Sequence, residues 1–202
     1  MRAPPILLTL LLLLATPWPA RADRPANLLP LRDIAVLYRV SGQPDQESRE
    51  ALLRYAAVAR VLRLETPGRG AGHVLVDPIR RQAHMILPGG GQFIELPVGQ
   101  DRRFALLLNP ATPFTRRGTA RIAGHVCTLW DVHGGRDSAT LCLSAAGILL
   151  RAQATRGELA GRSLEAVRVE IAPQDPALFQ LPAQARELNL QDAVRAFLLM
   201  VR

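Results

Sequence analysis

The sequence predicts a mainly β protein of the α+β class, with one antiparallel sheet, few short helices and an amphipathic C-terminal helix. Short runs of alternating apolar residues, rich in β-branched side chains, recur at roughly ten-residue spacing, which is typical of an antiparallel meander. Glycines and prolines separate these runs and predict the turns between them. The runs do not alternate with long helical segments, so a doubly wound parallel sheet is not expected.

The first 22 residues have the layout of a secretory signal peptide. Arg2 precedes an apolar run, residues 6–15, that is too short to span a bilayer. Ala20-Arg21-Ala22 provides a small-x-small cleavage site, and no cysteine follows it to carry a lipid anchor. We therefore expect cleavage after Ala22 and a periplasmic or secreted protein that does not span a membrane. The alternative is an uncleaved membrane anchor.

The charge of the chain gives little support to nucleic-acid binding. All 25 basic residues are arginines, and the net charge is +8. Loss of the signal peptide, which has two arginines and no acidic residue, would lower it to +6. The arginines are scattered singly or in pairs and are not interleaved with aromatic residues, as a nucleic-acid surface would require. The 180 residues that remain suit one domain with a hydrophobic core.

Strands are expected in order along the mature chain, with one ambiguous segment. Residues 51–66 fit either an amphipathic helix or two strands with a turn at 57–59, and intrinsic propensity favours the helix. Residues 104–108 fit one buried helical turn, and residues 173–179 fit another. The clearer strands are residues 33–40, 73–77, 83–87, 93–98, 116–122, 126–132, 139–143, 148–155 and 164–171.

The chain has two cysteines, Cys127 and Cys142, on either side of a Gly-Gly pair. In an oxidising compartment such a pair is most simply a disulfide. Alternation on both sides predicts a β-hairpin, and a register that opposes Cys127 to Cys142 leaves residues 133–136 as its loop. A redox-active pair usually has the spacing Cys-x-x-Cys, which this pair lacks. A zinc site would need two more ligands; His125 and His133 are near, but His125 is expected on the opposite strand face from Cys127.

The C-terminal residues have helical periodicity. One face of a helix would carry six apolar side chains, with Asn189 as the N-cap: Leu190, Ala193, Val194, Phe197, Leu198 and Val201. We expect a terminal helix packed on the sheet. A latch that meets a membrane surface or a protein partner is the alternative, although its polar face has few cations for a membrane surface.

No motif predicts catalysis, a metal or a cofactor. The glycine-rich residues 68–72 precede a strand, whereas a phosphate loop precedes a helix. Asp131, His133 and Ser138 lack the geometry of a catalytic triad. Glu165 and Glu170 are expected on opposite faces of a strand, so they are no clear candidate for paired-carboxylate catalysis. Two histidines on neighbouring strands, His73 and His84, are too few ligands for a metal site.

Several segments together resemble a family of small exported bacterial proteins of unknown function, with a fold like that of the lipoprotein-localisation factors LolA and LolB. The segments are VLVD, AHMILPGGGQFIELP, RIAGHVCTLWDV, ATLCLSAAGILLR and DPALFQLP, which lie between residues 33 and 182. The matching residues are Gly124, Cys127, Trp130, Cys142, Gly147, Asp175, Phe179 and Pro182. The resemblance implies an antiparallel sheet curled into a half-barrel over residues 23–182 and two strands in residues 51–66. The chain departs from the family in its C-terminal helical extension, residues 183–202.

A half-barrel has a concave face that can hold an apolar ligand. We therefore expect a non-enzymatic protein that binds a lipid or a lipoprotein acyl chain, without a cofactor. The alternative is a cell-envelope interaction module that binds a protein through a sheet edge or the C-terminal helix. The candidate ligand-binding residues, each of which could equally be core, are Val36, Tyr38, Val74, Val76, Met85, Leu87, Ile94, Trp130, Ile148 and Leu150.

Overall fold

The computed structural model describes residues 24–42, 49–68, 72–97 and 111–188. Twelve strands in these residues form one sheet, so the mainly β prediction is confirmed. In chain order they are β1 (Ile34–Ser41), β2 (Arg49–Ala56), β3 (Val61–Glu65), β4 (His73–Asp77), β5 (Gln82–Ile86), β6 (Gln92–Leu96), β7 (Phe114–Ile122), β8 (His125–Gly134), β9 (Asp137–Leu143), β10 (Leu149–Arg156), β11 (Ser163–Glu170) and β12 (Arg186–Glu187).

The sheet consists of two meanders joined at their centre. Its strand order is β12-β6-β5-β4-β3-β2-β1-β11-β10-β9-β8-β7. Strands that follow each other in the chain are neighbours within β1–β6 and within β7–β11, and the pairing of β1 with β11 joins the two groups. All neighbours are antiparallel except β12, which runs parallel to β6. The predicted antiparallel meander is therefore confirmed.

The ambiguous residues 51–66 form two strands. β2 and β3 pair antiparallel around a turn, in which Arg60 has a positive φ of 56°. Tyr55 and Ala56 at the end of β2 are buried, so tertiary burial has overridden the helical propensity of this alanine- and leucine-rich segment. The possible helical turn at 104–108 and most of the C-terminal helix lie outside the described residues.

The sheet curls so that its two groups of strands share a hydrophobic core. β7, at one edge, approaches β11. Val36 and Tyr38 on β1 are buried in one cluster with Cys127, Cys142 and residues of β10, although these strands are not neighbours of β1 in the sheet. The Tyr38 hydroxyl donates to the Leu149 carbonyl oxygen at 2.6 Å and so joins β1 to β10. The face of β1 that carries Val36 is therefore the inner, concave face.

A second cluster covers the opposite face of β8 and β9. Trp130 packs there with Phe114, Val132, Leu141 and Leu143, and their rings and methyl groups are buried beneath Leu28 of the N-terminal segment. The rings of Phe114 and Trp130 meet edge to face at a centroid distance of 6.3 Å. Both faces of this hairpin are thus covered, which stabilises this half of the sheet.

The C-terminal segment after β11 crosses the outer face of β2 and β3. The Asp33 carboxylate accepts hydrogen bonds from the backbone N–H of Ala57 and of Gln174. The Arg63 guanidinium donates to the Leu178 carbonyl oxygen at 3.0 Å. A short 3-10 helix, Pro176–Phe179, is capped by Asp175 and buries Phe179, which confirms the predicted turn.

Residues 183–188 are the part of the predicted C-terminal extension that the structure describes. Arg186 and Glu187 lie within residues 183–202 and form β12, which adds a strand to the sheet. In the part of the chain that the structure describes, no helix has the length and apolarity needed to cross a bilayer.

Candidate functional site

An apolar row of side chains crosses the inner face of six strands. Antiparallel pairing places Val36 opposite Leu53 and Leu53 opposite Leu64. The row continues through Val74, Met85 and Ile94. Because directly opposed residues in a sheet point to the same face, all six side chains belong to the inner face. The row has no polar member.

This inner face is closed at one end and open at the other. Val36 is fully buried, whereas Leu64 is 41% exposed and Met85 is 37% exposed. Leu53 of β2 and Leu62 of β3 still pack against the buried core, whereas Leu64 and Met85 lie beyond it. Exposed apolar side chains grouped on a concave surface are typical of a binding site and not of a finished core.

A cavity of about 350 Å³ occupies the open end. Side chains of the inner face line it, and residues at the strand ends border it. The inner-face residues are Ala51, Leu64, Thr66, Val74, Met85 and Leu87, and the bordering residues are Glu65, Gly72, His73, Ile86 and Pro88. Its volume lies at the lower end of the range of roughly 300–1,000 Å³ seen for small-molecule pockets.

The ten candidate ligand-binding residues fall into three groups. Val74, Met85 and Leu87 line the cavity, and Val76 and Ile94 lie on the same inner face beside it. The buried core contains Val36, Tyr38, Ile148 and Leu150. Trp130 points away from the first core and belongs to the second cluster, because alternation along β8 directs it opposite to Cys127.

Sequence reasoning missed Ala51 and Leu64 as lining residues. Both lie in residues 51–66, which fit either a helix or two strands. The direction of each side chain could not be assigned until one of these structures was chosen. The alternation of Leu62 and Leu64 with Arg63 and Glu65 is the signal that could have identified them.

The outer face behind the cavity carries a group of ion-paired side chains. Glu65 accepts hydrogen bonds from Arg54 at 3.2 Å and from Arg63 at 3.1 Å. Burial, and secondarily the nearby Arg63 charge, lowers the pKa of His73, while Glu65 opposes this. His84 packs edge-on against Phe93 at a centroid distance of 5.5 Å. The outer face thus carries charged groups beside buried apolar side chains such as Leu75 and Ile86, whereas the row on the inner face is wholly apolar.

Cys127 and Cys142 form a disulfide, with their Cα atoms 5.4 Å apart. The predicted staple is confirmed, but the predicted register was wrong by two residues. Leu129, not Cys127, lies opposite Cys142, so the disulfide runs diagonally across the hairpin. The turn contains only Gly135 and Arg136, and Gly135 has the positive φ that such tight turns require.

The polar side chains near the hairpin form hydrogen bonds with neighbouring side chains. Burial opposes ionisation of Asp131, but hydrogen bonds from Arg117 and Thr140 outweigh it and hold the pKa of Asp131 below its usual value. Nδ1 of His133 lies 3.1 Å from the Ser138 hydroxyl. Because Asp131 bonds to Arg117 and Thr140, it is not the group that orients His133.

The structure corrects the argument about Glu165 and Glu170. A β-bulge in the pairing of β1 with β11 adds one residue between them, so both lie opposite same-face residues of β1, Arg39 and Ala35. They are nevertheless separated along the strand, and Glu165 pairs with Arg151. Among the described residues, no three His, Cys, Asp or Glu side chains are grouped to hold a metal ion.

No protein-family model and no curated protein matches the chain. Among solved structures, an uncharacterized conserved protein from Thermus thermophilus is 14% identical, with 78% of this chain and 90% of that chain covered and a TM-score of 0.54. The MucB structure in complex with MucA from Pseudomonas aeruginosa is 13% identical over 80% of this chain and 59% of that one, with a TM-score of 0.52.

MucB alone is 12% identical over 78% of this chain and 60% of that chain, with a TM-score of 0.52. The chain therefore spans about three-fifths of MucB. At these identities the likeness shows the fold alone. The matches also include an outer membrane lipoprotein-sorting protein domain from Vibrio parahaemolyticus, of the class that the sequence resembles; its TM-score of 0.28 supports no conclusion about function.

Proposed function

We propose that this protein is an exported, non-enzymatic binding protein whose ligand is an apolar chain, such as that of a lipid or a lipoprotein. The observation that carries this proposal is the cavity of about 350 Å³ on the inner face, with Leu64 and Met85 partly exposed at its mouth. The disulfide supports an envelope or secreted location, because such bonds persist in oxidising compartments.

Contact between this apolar surface and water is unfavourable. Each apolar side chain that moves from water to a dry contact contributes roughly 25 cal/mol per Å² of buried surface. An acyl chain along the row Leu64–Val74–Met85 would remove water from three neighbouring side chains at once. The row offers no polar side chain, so it would not select strongly for a polar ligand.

Native mass spectrometry on protein purified from its own envelope, followed by lipid extraction, tests the proposal. We expect lipid at a fixed ratio to the protein. Met85→Asp places a charge at the cavity mouth and should abolish this co-purification. Val126→Asp is the matched control, because Val126 is 55% exposed on β8, away from the cavity. Bare wild-type protein, or equal lipid in both variants, would contradict the proposal.

A second candidate is a protein-interaction module, because one long sheet edge has no partner strand among the described residues. Within them β7, which has nine residues, pairs only with β8 and lies at the edge of the sheet, where an extended partner strand could add. MucB, which shares the fold, has been solved in complex with MucA. A photo-crosslinker at the exposed Thr119 of β7 should capture an envelope protein under this candidate, whereas one at Val58 in the β2–β3 turn should not.

A further inference from the structure

Two four-residue hairpin turns lie side by side at one end of the first meander. Residues 57–60 join β2 to β3, and residues 78–81 join β4 to β5. Because β3 pairs antiparallel with β4, with Leu62 beside Val76, both turns lie at the same end of these strands. Two strand spacings separate the hairpins, which places the turns about 10 Å apart. Residues 57–60 and 78–81 are termed the paired tips.

Each tip presents an aliphatic side chain to solvent from a turn that is fixed by hydrogen bonds. Val58 and Ile79 are the second residues of their turns and are 100% and 57% exposed. The Asp33 carboxylate accepts a hydrogen bond from the backbone N–H of Ala57 at 2.7 Å. The Asp77 carboxylate accepts one from the backbone N–H of Ile79 at 2.9 Å. The two aliphatic side chains therefore lie outside the hydrophobic core and are held in place.

An arginine is the fourth residue of each tip, in a backbone conformation that arginine rarely adopts. The φ angle is 56° at Arg60 and 57° at Arg81, in the left-handed region that glycine or asparagine enters most easily. Within the described residues, neither guanidinium has an ion-pair or hydrogen-bond partner. Neither the turn conformation nor a local contact thus explains the presence of arginine at both positions.

The paired tips carry positive charge. They contain Arg60, Arg80 and Arg81 and no acidic residue. Asp77 immediately precedes the second tip, but its carboxylate accepts hydrogen bonds from the backbone N–H of Arg80 at 2.8 Å and from the Arg80 guanidinium at 3.1 Å. Two cationic side chains therefore remain available for an external anion, each in the same turn as an exposed aliphatic side chain.

The surface of an anionic bilayer fits this arrangement better than a protein surface does. Two aliphatic side chains about 10 Å apart do not form the contiguous apolar patch that marks a protein interface. A bilayer interface can bury separate apolar side chains, while its phosphates accept paired hydrogen bonds from guanidinium groups. We propose that the paired tips dock on a membrane that contains anionic lipids, with Val58 and Ile79 inserted and Arg60 and Arg81 bound to lipid phosphates.

This membrane contact goes beyond the proposed function and uses a different part of the same strands. Thr66, which follows β3, and His73, which begins β4, both border the cavity. The paired tips lie at the opposite ends of β3 and β4. Docking through the tips therefore leaves the cavity uncovered, and the two proposals can be tested separately.

Sedimentation with sucrose-loaded vesicles measures the membrane contact, with protein purified from its own envelope. One set of vesicles contains phosphatidylglycerol and phosphatidylethanolamine, and the other contains phosphatidylcholine alone. We expect binding to the anionic set only. This binding should weaken as salt is added, because salt screens exposed charges. All variants share the same N-terminus, so differences between them report on the substituted position.

Two substitutions in the tips have matched controls elsewhere on the surface. Arg81→Gln should weaken binding to anionic vesicles about fivefold, the effect of one arginine near such a surface. Arg136→Gln should not, because Arg136 is exposed in the β8–β9 turn at the other end of the sheet. Val58→Ser should weaken binding about tenfold through lost apolar burial, whereas Val167→Ser, at an exposed position of β11, should bind as the wild type does.

Equal binding to anionic and neutral vesicles, or binding to neither, would overturn the inference. Equal losses in Arg81→Gln and Arg136→Gln would also overturn it, because net charge alone would then explain the binding. Full binding by Val58→Ser would exclude insertion of the tip. A photo-crosslinker at Val58 that captures an envelope protein instead of lipid would assign the tips to a protein partner.

The outcome for the membrane contact is distinguishable from the outcome for the cavity. Val58→Ser should still co-purify with lipid at the ratio found for the wild type, since Val58 does not line the cavity. Conversely, lipid-free wild-type protein would contradict the proposed function while leaving the docking of the paired tips on vesicles intact.

Discussion

The hydroxyl of Tyr38 donates a hydrogen bond of 2.6 Å to the carbonyl oxygen of Leu149, across the fold from β1 to β10. Tyr38 is 2% exposed, and burial raises its pKa far above the usual value, so it remains a donor at any pH at which the protein is handled. The bond holds the second meander over the closed end of the inner face. Its loss should therefore affect stability and leave the open end of the cavity unchanged.

We predict that Tyr38→Phe lowers the free energy of unfolding by about 1–2 kcal/mol, because a buried carbonyl group loses its partner. The ring itself remains, so the packing changes little. Urea unfolding followed by circular dichroism measures the difference. An unchanged unfolding midpoint would show that solvent or another donor satisfies Leu149.

Gly147 is predicted to resist substitution for two reasons. Its φ is +79°, and a Cβ atom there would collide with the backbone carbonyl oxygen of Leu29 in the N-terminal segment. Gly147→Ala should thus lower the free energy of unfolding by about 3 kcal/mol or more, since the effects of backbone strain and of the clash add. Gly124→Ala is the matched control, because the φ of Gly124 is +81° but a Cβ atom there would have no atom of a non-neighbouring residue within 4 Å. Backbone strain alone should therefore lower the free energy of unfolding by about 1–2 kcal/mol. Equal midpoints in urea would contradict the role of the clash.

The disulfide should contribute about 3 kcal/mol to the free energy of unfolding, because it closes a loop between residues 15 apart and so lowers the entropy of the unfolded chain. The double substitution Cys127→Ala and Cys142→Ala should lower the unfolding midpoint in urea accordingly. Reduction of the wild-type protein should act in the same direction. If reduction leaves the midpoint unchanged, the unfolded chain is not constrained by this bond.

Strand positions were predictable from the sequence because alternation and turn residues are local signals. The hairpin turn at Gly135 and Arg136 shows where local signals fail, since the position of the turn relative to the Gly134-Gly135 pair decides the register of the whole hairpin. The prediction used a four-residue loop, and the two-residue turn moved every pair by two positions. The cysteines still shared a face, so the disulfide survived the error.

The cavity was predictable only in part. Alternation separates Trp130 from Cys127 but does not say which face is inner, because both faces of β8 are covered. The bulge between Glu165 and Glu170 also reversed a face assignment, and it arises from the pairing of distant strands. The pairing of distant strands thus determines which face of the sheet is inner and where a bulge moves a side chain to the other face, and alternation along one strand does not.

His73 should make stability depend on pH. Burial and the Arg63 charge lower its pKa in the folded protein, so the unfolded chain binds a proton more readily. Stability should therefore fall as the pH drops through the unfolded value of about 6.5, and this loss should be complete below the folded pKa. His73→Gln should flatten the dependence of the urea midpoint between about pH 7.5 and about pH 5. An unchanged slope would assign the effect to other groups.

The last prediction concerns the volume of the cavity. Val74 lies between Leu64 and Met85 on the inner face, so Val74→Phe adds a ring where a ligand would lie. We expect this variant to bind a fluorescent fatty-acid analogue about tenfold more weakly, because the added ring takes the place of buried ligand carbons. The melting temperature should change little, since the ring extends into open space and not into packed core. Val126→Phe, at an exposed position of β8, should bind the analogue as the wild type does. Unaltered affinity in Val74→Phe would locate the binding of apolar molecules outside this cavity.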